Sequence, residues 1–374
     1  MIPVFTPPAT IGMLGGGQLG RFALMAARSM GYRTVVLDPD PRAPAGAVAD
    51  EHLVAAYDDP GALDRLAVGC DVVTTEFENP PAHALERLAG SVTVAPSARA
   101  VSIAQDRRTE KRFLDEQGFP VAPYEVVDDT SVAGPVERPS VLKTARMGYD
   151  GKGQRGVATA AELHAAWADL GGVPCVLEAA LALDAEISVV VARTADARVA
   201  TYDVAENVHV DGILDCCVVP AWVSGAVADR AVGLGMAIAD ALDYVGVLAV
   251  EFFVVGGDLV VNELAPRPHN SGHWTLDAAR TSQFEQQVRA VCGLGLGDTA
   301  LTAPAVAMVN LLGDLWADGE PDWGAVLDHP AAKLHLYGKQ APRPGRKMGH
   351  LTVLADSREE AETQARHLRS LLTA

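Results

Sequence analysis

The chain has 374 residues, 49% of them apolar and 21% charged, with 35 Gly and 23 Pro. At about 150 residues per domain this predicts two or three folded domains and excludes disorder, collagen and coiled coil. Thirty Lys and Arg against 48 Asp and Glu give a net charge of −18, which excludes DNA, RNA and anionic lipid as partners. The five cysteines, Cys70, Cys175, Cys216, Cys217 and Cys292, show no C-x-x-C spacing, and the start from Met1 to Pro8 lacks the parts of a signal peptide. The most apolar run, Val245 to Val255, is interrupted by Glu251 and is too short to span a bilayer. A soluble cytoplasmic protein with reduced thiols is expected.

In chain order, Thr10 to Leu14 reads as a strand, followed by a helix to Met30 closed by Gly31 and a strand from Thr34 to Asp38. Asp71 to Thr75 and Ser91 to Val94 continue the alternation, which predicts an α/β fold with a doubly wound parallel sheet. A helix is placed from an N-cap at Ser97 to Gln117, stopped by Gly118, and leads into a second domain. Asp128 to Pro139 reads as a surface loop. Strand-like runs follow at Val141 to Thr144, Cys175 to Leu177 and Ile187 to Ala192. Next come a helix from Val227 to Leu242 and two strands, Val247 to Val255 and Leu259 to Leu264. The tail from Ala305 ends in a strand, Leu351 to Ala355, and a helix behind the capping box Ser357 to Glu360.

Two glycine-rich loops compete as nucleotide sites. Ile11 to Gly20 reads IGMLGGGQLG, and Gly15, Gly17 and Gly20 fit G-x-G-x-x-G between a strand and a helix, with Asp38 ending the next strand. Backbone N–H groups and a helix N-terminus there suit an anion, whether a pyrophosphate, a sugar phosphate or a carboxylate; a tight structural turn accounts for the glycines equally. Met147 to Gly156 reads MGYDGKGQRG, with Gly148, Gly151 and Gly153 able to lay N–H groups over phosphates. Lys143, on the strand before it, and Lys152, within it, supply charge. It is not a P-loop, because neither Gly-Lys pair is followed by Ser or Thr.

The second signal is Glu251 in VEFFV with Glu263 in NELAPR. A three-residue turn, Gly256-Gly257-Asp258, would pair Val255 with Leu259 and set Glu251 opposite Glu263, whereas a two-residue turn would put the carboxylates on opposite faces. Facing carboxylates beside Asn262 need a counter-charge, and hard oxygen donors suit Mg2+ bridging nucleotide phosphates. An exposed edge strand is the bland alternative, disfavoured by the apolar neighbours Val250, Phe252 and Phe253.

Lysine strand, glycine loop and carboxylate strand pair, with the trailing NELAPRPHNSGHWT, resemble the ATP-grasp superfamily. Within it the chain is similar to the 5-(carboxyamino)imidazole ribonucleotide synthetases of purine synthesis. GGGQLG, TTEFEN, QDRRTEK, GYDGKGQ and PGRKMGH extend the likeness over nearly the whole sequence. The resemblance implies a doubly wound N-terminal domain at 1–103, an ATP-grasp domain at 104–304 with a lid at about 125–184, and a small β-rich domain at 305–374. It implies ATP, Mg2+, bicarbonate and 5-aminoimidazole ribonucleotide as ligands, and a homodimer.

For the nucleotide it implies Arg107 and Lys143 on the phosphates, with Gly148, Tyr149, Asp150, Gly151, Lys152, Gly153 and Gln154 closing over them. Glu178, Ala179, Ala180 and Leu181 would form the adenine hinge, Glu186 would take the ribose, and His209 would contact the nucleotide. Glu251 and Glu263 would hold the metal, with Asn262 adjacent. For the acceptor it points to Gln18, Glu76, Tyr149, Arg267, His269, Lys339 and Arg346, and for catalysis to Arg267, His269 and Lys152. The chain departs from the family pattern at Lys152, where arginine is frequent, and at Ala180, where a bulkier residue is usual. Trp274 in the last motif reads equally as packing. Rival expectations are a sibling ligase of the formate-dependent transformylase or biotin carboxylase kind, a nicotinamide-dependent reductase resting on the first glycine loop, and a non-catalytic ATP-binding regulator.

Overall fold

The computed structural model describes residues 2–129, 136–148 and 150–373. Thr10–Leu14, Arg33–Leu37, Glu51–Leu53, Val72–Thr75 and Thr93–Val94 form a parallel sheet in the order third, second, first, fourth, fifth. Apolar runs suit strands covered on both faces, and Val72–Thr75 is buried throughout. The strand order reverses between Thr10–Leu14 and Val72–Thr75, so a crevice opens beyond their carboxyl ends. Gly15 follows one of these strands and Glu76 the other.

The helix expected from Ser97 to Gln117 is two helices. Ala98–Ala104 starts at Ser97, whose side chain accepts from the Ala100 N–H; Arg107–Glu116 starts afresh at Asp106, which is extended (φ −130°, ψ 112°) and accepts from the Arg108 N–H. A short acidic side chain bonding its own backbone competes with the helical ladder. The restart places Arg107, Glu110 and Lys111, at i, i+3 and i+4, on one inward face.

Tyr124–Val127, Cys175–Ala179, Ser140–Thr144 and Gln154–Val157 form a small antiparallel sheet in that order, backed by the helix Ala160–Asp169. A nine-stranded antiparallel sheet has a path that begins Asp258–Ala265, Gly246–Val255, Ala185–Arg193, Ala205–Val210 and Ile213–Val219. The path continues through Ala305–Leu312, Lys347–Ala355 and Ala332–Leu336, while Val199–Thr201 pairs with Ala185–Arg193. The tail therefore has no sheet of its own, because Ala305–Leu312 hydrogen-bonds to Ile213–Val219 and extends the central sheet.

The carboxylate hairpin departs from expectation at its turn. Val255 pairs with Asp258 across Gly256 and Gly257, whose φ values of +58° and +81° are those of a two-residue type I′ turn. That register alone would set Glu251 against Asn262. A β-bulge between Glu251 and Phe252 inserts Asn262 as an extra residue, so Glu251 pairs with Glu263 after all.

The three parts of the chain meet at Phe22, on the helix Gln18–Ser29, whose ring touches those of His273, His335, Tyr337 and His350 edge-on. His335 and His350 are cross-strand partners and stack at 4.6 Å. All five cysteines are buried and free. Among the described residues no helix is long and apolar enough to cross a membrane.

Candidate active site

The first glycine loop is filled by the protein's own carboxylates. The Gly16 N–H donates to Asp38 Oδ2 at 2.7 Å, and the Gly17 and Gly20 N–H groups donate to Glu76 at 2.8 and 3.0 Å. Side chains are excluded there, since a Cβ on Gly17 would lie 2.6 Å from Glu76 Oε1. Glu76 thus occupies the anion position at the start of a helix that has no side-chain cap of its own. The N–H groups of Gly16, Gly17 and Gly20, which a dinucleotide pyrophosphate would use, are thus already taken.

The second loop, the small four-stranded sheet and the large sheet line a cavity of about 760 Å3. Of the residues expected at the nucleotide, Arg107, Lys143, Asp150, Gly151, Lys152 and Gln154 line it, as do Glu178 to Leu181, Glu186, His209, Asn262 and Glu263. So do Gln18, Glu76, Glu251, Arg267, His269, Lys339 and Arg346. Tyr149 lies outside the described residues. Gly148 and Gly153 sit off the cavity, at the loop's neck: a Cβ on them would come within 3.0 and 2.5 Å of Thr144 Oγ1, and the Thr144 N–H donates to the Gly153 carbonyl. Both glycines permit close backbone approach there.

At the carboxylate pair, Asn262 Nδ2 donates to Glu251 Oε2 at 3.3 Å, and Arg107 Nη2 is 2.8 Å from Glu263 Oε2. Burial, and then the charge of Glu263, push Glu251 up to about 7. Burial opposes ionisation of Glu263 as well, but Arg107 holds it below the usual carboxylate range. Two oxygen donors of this kind, only one of them fully compensated, suit a hard divalent cation.

Behind them, Lys143 Nζ donates to Glu178 Oε2 at 3.0 Å and to Asn262 Oδ1 at 3.3 Å. Lys143 and Lys111 keep Glu178 ionised and below its ordinary value despite its burial. Glu178 therefore faces cations, while Ala179 and Ala180, next to it in the expected hinge, donate their N–H groups to the carbonyls of Pro123 and Pro139. Across the cavity His209 Nδ1 lies 3.1 Å from Glu186 Oε2. Burial opposes its protonation, but Glu186 raises its pKa.

In the segment that follows the carboxylate strand, Arg267 Nε donates to Glu78 Oε2 at 2.5 Å. The Ser271 N–H donates to His269 Nδ1 at 3.3 Å, and the Ser271 hydroxyl lies 2.8 Å from the same nitrogen. The ring proton is thereby left on Nε2, which faces Glu251 Oε1 at 3.6 Å. Burial, then Arg267, hold this imidazole neutral, well below its ordinary pKa. Reciprocal amide bonds between Asn270 and Asn310, 3.0 and 2.7 Å, tie the segment to Ala305–Leu312.

Sequence reasoning missed several neighbours. Lys347 and Arg343 also line the cavity; Lys347 Nζ holds Asp150 of the glycine loop at 2.6 Å, and Lys339 Nζ donates to the Lys347 carbonyl at 2.7 Å. The run of basic residues around PGRKMGH was the available signal, but it does not say which of them turns inward. Glu110 and Lys111, fully buried under the carboxylate strand, were visible only as part of QDRRTEK. Glu110 is pushed up to about 8 by burial, against the lowering effect of Arg107 and Lys111.

The chain is similar to known proteins over nearly its whole length. The ribonucleotide synthetase preATP-grasp domain family matches residues 8–105, the ATP-grasp domain family residues 112–284, and the phosphoribosylaminoimidazole carboxylase C-terminal domain family residues 306–364. The N5-carboxyaminoimidazole ribonucleotide synthase of Brucella melitensis is 49% identical over 353 residues, 92% of this chain and 96% of that protein. A crystal structure of an ADP complex of an N5-carboxyaminoimidazole ribonucleotide synthetase superposes with a TM-score of 0.92 at 41% identity, covering 98% of both chains. The Aspergillus clavatus synthase, crystallised with ADP and 5-aminoimidazole ribonucleotide, gives 0.88 at 31% identity, covering 97% of this chain and 98% of that one. At such identity over nearly its full length, the chain belongs to the N5-carboxyaminoimidazole ribonucleotide synthase family of ATP-grasp ligases.

Proposed function

We propose that the chain carries out the reaction for which its family is named: ATP and bicarbonate carboxylate 5-aminoimidazole ribonucleotide, with release of ADP and phosphate. The observation that supports this most is the cavity in which the glycine loop, the paired carboxylates and a cluster of tail cations face one another. A bicarbonate oxygen attacks the γ-phosphorus and the bond to ADP breaks, giving carboxyphosphate. The exocyclic amine then takes the carboxyl carbon, directly or as carbon dioxide, losing a proton as phosphate leaves.

Charge moves between anions throughout, so positioning and fixed cations carry the catalysis rather than a covalent nucleophile. Glu251 and Glu263, with Asn262 beside them, would hold Mg2+, which would neutralise charge on the nucleotide phosphates. Arg107 and Lys143 lie next to that position and take the nucleotide phosphates when it binds. The loop from Gly148 to Gln154 closes over them and keeps water from the labile intermediate. Lys152, on that loop, and Arg267 stabilise the carboxyphosphate. His269, proton on Nε2, donates to the acceptor. Lys339 and Arg346, with Lys347, receive the ribonucleotide phosphate. The hinge holds adenine, with Glu186 and His209 at the ribose. A cytoplasmic homodimer with domain limits near 104 and 305 is part of the same reading.

The acceptor separates this reading from its siblings. ATP turnover is expected with aminoimidazole ribonucleotide and bicarbonate; turnover driven instead by glycinamide ribonucleotide with formate, or by biotin, would overturn it. Glu263→Gln is expected to lower ATP turnover about 10²- to 10³-fold, the scale of removing one electrostatic partner from such a site. Turnover at the parent rate would remove Glu263 from the metal site.

A further inference from the structure

Asp258–Ala265 is the outermost strand of the large sheet, and among the described residues its outward edge meets no further strand, only an isolated parallel bridge between Val121 and Val261. Around the bulge the backbone groups of that edge are taken one by one. The Val261 N–H donates to the Pro120 carbonyl at 2.7 Å. Lys111 Nζ donates to the carbonyls of Val261 and Asn262 at 3.3 and 3.1 Å. The Leu264 N–H donates to Glu110 Oε2 at 3.0 Å. Consecutive carbonyls of a regular strand point to opposite edges; two converging on one ammonium mark an inserted residue.

We infer that Glu110 and Lys111 are positioning residues that hold the bulge at Asn262, and through it the facing of Glu251 and Glu263, without touching metal or nucleotide themselves. The inference rests on the magnesium reading above. The two-residue turn by itself would place Glu251 opposite Asn262 and send Glu263 to the other face of the hairpin. The bulge corrects this only while its surplus carbonyl has a donor, and Lys111, with no exposed surface, supplies it from the helix Arg107–Glu116. Glu110 secures the strand on the far side of Glu263. One turn earlier on the same face, Arg107 bonds the Glu263 carboxylate directly. A single helical face thus sets both the backbone register and the orientation of the ligand. Lys111 also lies 3.5 Å from Glu178, which joins this clamp to the Lys143 pair.

The test uses the full chain with saturating ADP and reads Mn2+ affinity by electron paramagnetic resonance of the free ion, so no turnover is needed. Lys111→Met and Glu110→Leu are each expected to weaken Mn2+ binding at least about tenfold, the scale of removing the support behind a metal ligand. The KM for aminoimidazole ribonucleotide should stay within about twofold in both. Glu110→Gln, whose amide oxygen still accepts from the Leu264 N–H, is expected to match the parent. Parent-like Mn2+ affinity in a folded Lys111→Met or Glu110→Leu protein overturns the inference. So does a tenfold loss in Glu110→Gln, which decides the matter if the other two do not fold. Glu263→Gln separates the two claims: if it binds Mn2+ like the parent the magnesium reading fails, and if it alone loses affinity the clamp fails.

Discussion

Lys339 shows how burial sets the working range of a single residue. Its ammonium is pushed down to about 8, first by desolvation and then by Arg346, with Glu76, Lys347 and Asp150 as the other charges facing it. Above pH 8 it is neutral and gives an acceptor phosphate one charge less. kcat/KM for the ribonucleotide is therefore expected to fall by up to about tenfold per pH unit above 8, while the KM for ATP stays level. Lys339→Arg should flatten that limb; an unchanged limb in the arginine variant would move the phosphate elsewhere. For stability the sign is opposite. The unfolded lysine keeps its proton to 10.5, so the cost of burying it is present below 8 and fades as pH rises towards 10.5. Membership of the cavity was legible where a motif carried the residue, as with Lys143, Glu251 and Arg267. That of Lys347 was not, because nothing local marks which of several neighbouring cations faces Asp150.

At the scale of elements, two glycine turns close the cavity against each other. Asp211 and Gly212 both have positive φ, +52° and +78°, and join Ala205–Val210 to Ile213–Val219. A Cβ on Gly212 would lie 2.5 Å from Gly151 Cα, and one on Gly151 would lie 2.7 Å from the Asp211 carbonyl. Backbone cannot yield as a flexible side-chain end does, so Gly212→Ala should displace the glycine loop and lower kcat/KM for ATP about ten- to a hundredfold. Gly233→Ala, where a Cβ meets nothing within 4 Å, is the control and should leave turnover unchanged. If Gly212→Ala matches this control, the two turns do not set the loop. The strands and the loop were readable from apolar runs and glycine spacing. The turn at Gly256 was misjudged by one residue, and the face of Glu263 came out right only because a bulge compensates. A bulge is written in tertiary contacts, and Lys111 stands 150 positions from the carbonyl it holds. The break before Arg107 was missed for a related reason: Gln105-Asp106 fits a helical pattern until the cap is seen.

Over the whole molecule, the doubly wound sheet was foreseeable from the order of elements and the ATP-grasp domain from the motif resemblance, but the tail's merger into the central sheet was not. Strands of that length declare their apolar face and leave their partner open. The contact that joins the parts predicts acid sensitivity. Burial holds His273 and His350 well below the ordinary imidazole pKa of 6.5. The unfolded chain takes up protons below pH 6.5 that the fold refuses, so stability present above that pH is lost as it falls. Each such histidine contributes about 1.4 kcal/mol per pH unit. Urea titrations between pH 6.5 and 5 should show that slope reduced by about this amount in His350→Gln, and an unaltered slope would mean that His350 titrates freely.

The net charge of −18 coexists with a cavity that gathers Arg107, Lys143, Lys152, Arg267, Lys339 and Arg346, so anionic substrates are met by a few placed cations rather than by the protein's overall field. The most direct measurement is ADP release in four mixtures: ATP alone, with bicarbonate, with 5-aminoimidazole ribonucleotide, and with both. Fast release only when both are present is the predicted result. Release at the full rate without bicarbonate, or without the ribonucleotide, would contradict the account.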